Sequence, residues 1–230
     1  MIDWQRFDAV LFDLDGVITP TADLHRAAWA ATFAADGFTD DDYLRHIDGR
    51  PRYDGAAAFL TSRGINLPRG TESDAPGRST ICAVGNEKDQ RFNLLLAQGG
   101  LHPYPGSLRL LDALDSMQIG YGLVTSSRNA TKVLAATALT ARFACVVDGE
   151  RATREHLAGK PAPDTYLRGA ALLGAPPSRT VVVEDAVSGV LAGRSGTFGY
   201  VLGVDRGGNR DALYAAGADE VVDDLAETIS

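Results

Sequence analysis

Six short apolar runs, bounded by Gly, Asp or Ser, restrict the fold of this chain more than any other feature. They are AVLF (9–12), YGLVT (121–125), CVV (145–147), TVVV (180–183), GYVLGV (199–204) and EVV (220–222). Runs of this length and composition are predicted as buried strands. Between the later ones lie helix-like stretches, at 105–118, 129–138, 164–174, 187–195 and 209–217. Strand alternating with helix predicts an α/β architecture, a parallel sheet with helices on both faces. Ligands of such sheets sit beyond the carboxyl ends of the strands. This chain places its charged and hydroxyl residues there.

The interval between the first two strands breaks the pattern. DLHRAAWAATFAADG, DDDYLRHIDG, RYDGAAAFLTSRG and GNEKDQRFNLLLAQGG all read as helices, and PRGTESDAPGRST (68–80) reads as a surface loop. A helical block of this size is too large for a crossover. It predicts a second, smaller domain over 21–98, set into a core made of 1–20 and 99–230.

A chain of 230 residues can bury a full core. A net charge of −8 argues against a nucleic-acid backbone or an anionic membrane as partner. No apolar stretch is long enough to cross a bilayer, and the start lacks a secretory pattern. Cys82 and Cys145 have no metal-ligand spacing, so a reduced, cytoplasmic protein is expected. Of 22 basic residues only Lys88, Lys132 and Lys160 are lysines, which invites a look at each.

Four features end or follow predicted strands: Asp13 with Asp15; Thr125, Ser126, Ser127, Arg128 and Asn129; Lys160 in GKPAPD; and Glu184 with Asp185 in VVVEDAVSG. Each has a plain reading, as a solvated turn, a helix cap or a loop lysine. Together they point to chemistry. Carboxylates gathered at one sheet edge raise each other's pKa unless a cation sits among them. Such hard oxygens suit Mg²⁺, which bridges to phosphate. Hydroxyls at a helix start favour an anion, and a lysine adds a point charge. The combination predicts phosphoryl transfer, with an aspartate as nucleophile. Neither GxGxxG nor GxxxxGK[ST] is present, which argues against a nucleotide site.

DLDGV, TSS, KPAPD and VVVEDAVSG, in this order, resemble the four motifs of the haloacid dehalogenase-like superfamily, over nearly the whole chain. The resemblance implies a Rossmann-like core, with the helical block as a C1-type cap. FDAVLFDLDGVIT, His25 with Trp29, GKPAPD and GVDRGG…GADEVVDDL are most similar to the β-phosphoglucomutase branch. By that resemblance Asp13 is the nucleophile and Asp15 the general acid/base. An aspartate at position 15 is what phosphatases and phosphomutases of the group keep and dehalogenases do not. Mg²⁺ would be held by Asp13, the Asp15 carbonyl and Asp185, with Glu184 nearby. Thr125, Ser126 and Lys160 would hold the transferring phosphoryl group. Arg52 in the cap would grip a second phosphate, with His25 and Lys88 contacting the sugar or positioning the acid/base. Taken alone, His25 reads equally as an ordinary helix residue and Lys88 as a solvated one. Ser127, Arg128 and Asn129 would help the core bind the distal phosphate.

The expected activity is phosphoglucomutase chemistry on a sugar phosphate, with glucose 1,6-bisphosphate as activator, no nucleic-acid or membrane partner, and a monomeric state. The alternatives are a phosphatase acting on a small phosphorylated sugar or metabolite, and a phosphate-binding or regulatory domain without catalysis. The chain departs from the family pattern twice. Asp48 stands where a lysine is usual, with Arg50 as a replacement charge. Pro20 stands where an aspartate is usual, and fixes the backbone where the cap hinge is expected.

Overall fold

The computed structural model describes residues 2–229, so the first and last residues of the expected core lie outside the described residues. The chain divides into two compact units, one running to Pro20 and resuming at His102, the other spanning Thr21–Leu101. Gly99 and Gly100, both with positive φ, follow the last helix of the second unit.

The first unit holds, among the described residues, a six-stranded parallel sheet with helices on both faces. Its strands are β1 (Ala9–Phe12), β2 (Gly120–Val124), β3 (Cys145–Val147), β4 (Thr180–Glu184), β5 (Tyr200–Val204) and β6 (Glu220–Val222). Their spatial order is β3-β2-β1-β4-β5-β6. Phe12 lies opposite both Leu123 and Val183, which puts β1 and β4 at the centre. Every residue of β1 and β4 is buried, which explains why these strands read as unbroken apolar runs. The order of the sheet reverses between β1 and β4, the position where open α/β sheets place their ligands.

The second unit is helical. It comprises α1 (Thr21–Thr32), α2 (Asp40–Asp42), α3 (Arg52–Ser62) and α4 (Ile81–Ala97). After α2 the chain widens into a π-turn over Tyr43–Ile47. Thr39 and Asp42 close a capping box on α2, each side chain bonded to the other's N–H. Trp29, Phe33, Tyr43, Ile47, Phe59 and Val84 form this unit's own core. Phe33 packs against Trp29 at 5.2 Å and Phe59 at 4.3 Å between ring centroids. The 68–80 segment is an irregular loop, pinned by Asp74 to the hydroxyls of Thr71 and Thr80.

In the first unit the helices are α5 (Pro105–Met117), α6 (Ala130–Ala136), α7 (Gly149–Arg154), α8 (Asp164–Leu173), α9 (Val187–Ser195) and α10 (Arg210–Ala216). α7 is not expected from the sequence: its GERATR has no apolar period, and Asp148 starts it by accepting the Arg151 N–H. Leu11, Val124, Val147, Tyr166, Val182, Val190 and Val201 join β1–β5 to α8 and α9 in the main core.

Candidate active site

Asp13 is the first residue past β1, and its N–H still bonds to the Val183 carbonyl at 3.0 Å. That bond extends the sheet ladder by one residue and fixes the carboxylate against β4. The chain then folds back tightly: Ile18 and Thr19 both donate to the Leu14 carbonyl, and Gly16 donates to Thr19. Gly16 has φ of +80°, and a Cβ there would fall 1.8 Å from an Asp185 carboxylate oxygen. The glycine therefore serves twice, allowing the turn and leaving room for Asp185. Ser107 donates to the Val17 carbonyl at 2.6 Å and holds the turn to α5.

Lys160 lies at the centre of the site. Its Nζ donates to Asp13 Oδ1 and Glu184 Oε1, each at 2.5 Å, and to the Val124 carbonyl at 3.3 Å. The ammonium also sits 4.9 Å from the centre of the Tyr166 ring. Burial opposes its charge, but Asp13 and Glu184 outweigh that and hold its pKa well above the usual lysine range. Lys160 is therefore a fixed cation, and the plain reading as a loop lysine does not survive. The peptide between Lys160 and Pro161 is cis.

Glu184, at the end of β4, spends its oxygens within the protein. Oε1 accepts from Lys160 and from the Tyr166 hydroxyl at 3.1 Å, and Oε2 accepts the Ala186 N–H at 2.9 Å. A Cβ at Gly189 would fall 1.7 Å from Oε1, so only glycine in the first turn of α9 leaves space for this carboxylate. Glu184 is thus placed to hold Lys160. Tyr166 also belongs to the site, with no motif to mark it, since only the approach of α8 to the sheet brings its hydroxyl to Glu184.

Thr125 follows β2 and is buried. Its hydroxyl accepts the Ser127 N–H at 3.0 Å, and the Ser127 hydroxyl accepts the Asn129 N–H at 3.1 Å. These two local bonds shape the turn into α6. Ser126 is half-buried in the turn, Asn129 is buried, and Arg128 donates to the Thr153 hydroxyl.

Burial pushes the Asp13 carboxyl up against the pull of Lys160, with Glu184 and Asp15 adding to the effect. Among the described residues no three His, Cys, Asp or Glu side chains form a metal cage by themselves. Mg²⁺ needs less, because it binds through one or two carboxylates, keeps several waters and completes its shell with substrate phosphate. Asp13 and Asp185 with the Asp15 carbonyl fit that demand, since Glu184 is already engaged.

In the helical unit Lys88 is buried, not solvated. Its Nζ donates to His25 Nδ1 and lies 5.4 Å from the centre of the Trp29 ring and 5.0 Å from that of Phe92. His25 stacks on Phe92 at 4.2 Å. Arg52 pairs with Asp89 at 2.6 Å and is largely buried. Asp48 ends the π-turn half-buried, while Arg50 is exposed.

A profile of the haloacid dehalogenase-like hydrolases matches residues 7–197. The chain belongs to this family. It is 42% identical over 244 residues to a beta-phosphoglucomutase of Mycobacterium bovis, across 98% of this chain and 92% of that one. It is 32% identical over 203 residues to the beta-phosphoglucomutase of Bacillus subtilis, across 86% and 84% of the two chains. The crystal structure of CbbY from Rhodobacter sphaeroides in complex with xylulose-(1,5)bisphosphate matches with a TM-score of 0.77 at 26% identity, covering 96% of each chain. Family and relatives together make this chain an enzyme, a phosphomutase or a phosphatase. Among the described residues no helix is long and apolar enough to cross a membrane.

Proposed function

We propose that the protein is a β-phosphoglucomutase, interconverting β-D-glucose 1-phosphate and glucose 6-phosphate through glucose 1,6-bisphosphate. The observation that carries this reading is the pairing of Asp13, braced by a buried lysine, with a half-buried aspartate two residues on. The likeness to the beta-phosphoglucomutases adds the substrate class.

Lys160 fixes Asp13 Oδ1, which aims the other oxygen at the phosphorus of the incoming group. In the first transfer the aspartyl-phosphate on Asp13 gives its phosphoryl group to the sugar 6-hydroxyl, while Asp15 takes the hydroxyl proton. After the bisphosphate turns round, Asp13 attacks the phosphorus on O1, and Asp15 returns the proton to O1 as that bond breaks. Both steps place charge on phosphoryl oxygens beside Lys160, Thr125 and Ser126, which supply positive charge and donors there. Mg²⁺, held by Asp13, Asp185 and the Asp15 carbonyl, would neutralise phosphoryl charge when bound.

Recognition of the second phosphate is assigned to Arg52, which would exchange its Asp89 partner for the phosphate. Lys88 and His25 are assigned to the sugar or to positioning the acid/base. Ser127, Arg128 and Asn129 remain proposed aids to distal phosphate binding. The cytoplasm, where both cysteines stay thiols as they are here, is the proposed compartment, and a monomer the proposed state. A second reading, hydrolysis of a small phosphorylated sugar or metabolite, rests on Asp48 and Pro20, which stand where the family pattern has a lysine and an aspartate.

The test follows glucose 6-phosphate and free phosphate separately, with β-glucose 1-phosphate and Mg²⁺, with and without glucose 1,6-bisphosphate. Bisphosphate-dependent glucose 6-phosphate is expected. Free phosphate as the main product would replace the mutase by the phosphatase.

A further inference from the structure

The loop after β5, DRGGN (205–209), reaches both acidic loops of the site. Arg206 Nε donates to the Gly16 carbonyl at 2.8 Å, and its Nη1 to the Asp223 carbonyl at 2.9 Å. The guanidinium lies 3.8 Å from the centre of the Tyr104 ring. Asn209 Nδ2 donates to the Asp185 carbonyl at 2.9 Å. The loop itself is gathered on Asp205, whose Oδ1 accepts the N–H groups of Gly207, Gly208 and Asn209.

We propose that Arg206 and Asn209 are positioning residues for the metal donors, acting from the loop after β5 on the loops after β1 and β4. This rests on reading Asp13, Asp15 and Asp185 as those donors. The peptide joining Asp185 to Ala186 is held at both ends, its carbonyl by Asn209 and its N–H by Glu184 Oε2. Glu184 is in turn fixed by Lys160, which also holds Asp13. Asn209 thus closes a chain of bonds that runs from Asp185 to the nucleophile. On the other loop, the Gly16 N–H bonds to the Thr19 carbonyl at 2.8 Å. In a planar trans peptide this sets the direction of the Asp15 carbonyl, opposite the N–H. Arg206 fixes the next peptide of the same turn through the Gly16 carbonyl.

Plain structural work explains these side chains poorly. Asn209 precedes α10 but makes no side-chain cap bond to it. Arg206 Nη2 and Asn209 Oδ1 are each buried with no hydrogen-bond partner among the described residues. An incompletely satisfied polar pair at this place calls for a role other than stability. Groups that orient metal ligands from one bond away change metal affinity about 10- to 100-fold when removed.

Direct binding of Mn²⁺, followed by the EPR signal of the free ion, tests the proposal beside thermal melting. Asn209→Ala and Arg206→Met are each expected to weaken Mn²⁺ binding about tenfold or more, and Arg206→Lys to recover part of the loss by keeping one donor. Arg210→Ala removes the ion pairs of α10 with Asp223 and, at 3.8 Å, Asp205, with no bond to either acidic loop, and should bind Mn²⁺ as the parent does. Asp185→Asn serves as the reference for a lost donor. If Asp185→Asn weakens binding while Asn209→Ala and Arg206→Met do not, the positioning role is overturned and the metal reading stands. If Asp185→Asn binds normally, both fall. If Arg210→Ala weakens binding as much as Asn209→Ala, the loop matters only as structure and the proposal is again overturned. Should Arg206→Met fail to fold, Asn209→Ala decides alone, since that residue makes no side-chain cap bond.

Discussion

Replacing Lys160 by methionine tests the arrangement at the centre of the site. The side chain is 2% exposed and bonds two carboxylates at 2.5 Å. Methionine fills similar space with no charge, so Asp13 and Glu184 would face each other in a buried setting without a cation. Breaking a buried ion pair costs about 3–5 kcal/mol, mostly through the charge left behind. Taking about 4 kcal/mol, and about 3 °C of Tm per kcal/mol for a domain of this size, the melting point should fall by roughly 12 °C at pH 7.

The pH dependence sharpens the test. In the parent, the raised Lys160 pKa gives stability that is complete below the ordinary lysine pKa and lost only as pH rises through the folded value. In Lys160→Met, burial and the neighbouring carboxylates push Asp13 up without opposition. A carboxyl with a folded pKa above its unfolded one destabilises as pH rises, so acid should rescue the variant. One bound proton returns up to about 1.4 kcal/mol per pH unit. Moving from pH 7 to pH 5 should therefore recover part of the loss. Adding Glu184→Gln should flatten this rescue by removing one of the two charges. Calorimetric melts of the three proteins at both pH values decide it. A fall at pH 7 equivalent to less than about 1 kcal/mol, or an equal fall at pH 5, would refute the reasoning.

Gly189→Ala should lower stability by about 1–3 kcal/mol, because its Cβ meets Glu184 Oε1 at 1.7 Å, and melting checks it. Tyr166→Phe removes the hydroxyl donor to Glu184 and should cost about 1–2 kcal/mol in a denaturant titration, with Lys160 left to hold the carboxylate. Pro20→Asp should change the turnover rate without abolishing phosphoryl uptake by Asp13; unchanged turnover together with unchanged ligand-induced compaction in X-ray scattering would remove Pro20 from the mechanism.

The sheet was legible because its strands are buried on both faces and so appear as bare apolar runs. Those runs end within a residue or so of β1 to β6. One helix, and the first turn of another, were not. α7 is built from polar residues and starts on a single aspartate cap. α4 begins at Ile81, where ICAV follows directly on the loop and Thr80 caps the helix, a start hidden beside the polar loop. In the site, three of the four motifs follow or end β1, β2 and β4, as expected, whereas Lys160 comes after α7 and not after a strand. Their mutual bonds could not be read. Lys88 looked solvated because its partner His25 is 63 residues away in the chain. Tyr166 and Asn209 were silent for the same reason, since their partners come from other elements. Sequence periodicity carries burial, while hydrogen bonds between distant loops appear only once the sheet has brought the loops together.

The central claim is that Asp13 takes up the phosphoryl group. Incubation with glucose 1,6-bisphosphate labelled in its phosphoryl groups, followed by rapid quenching and peptide mass spectrometry, locates any covalent phosphate directly. A hydroxylamine-labile phosphoryl group is expected on Asp13 and is expected to be absent from Asp13→Asn. Label on any other residue, or full turnover by Asp13→Asn, would contradict it.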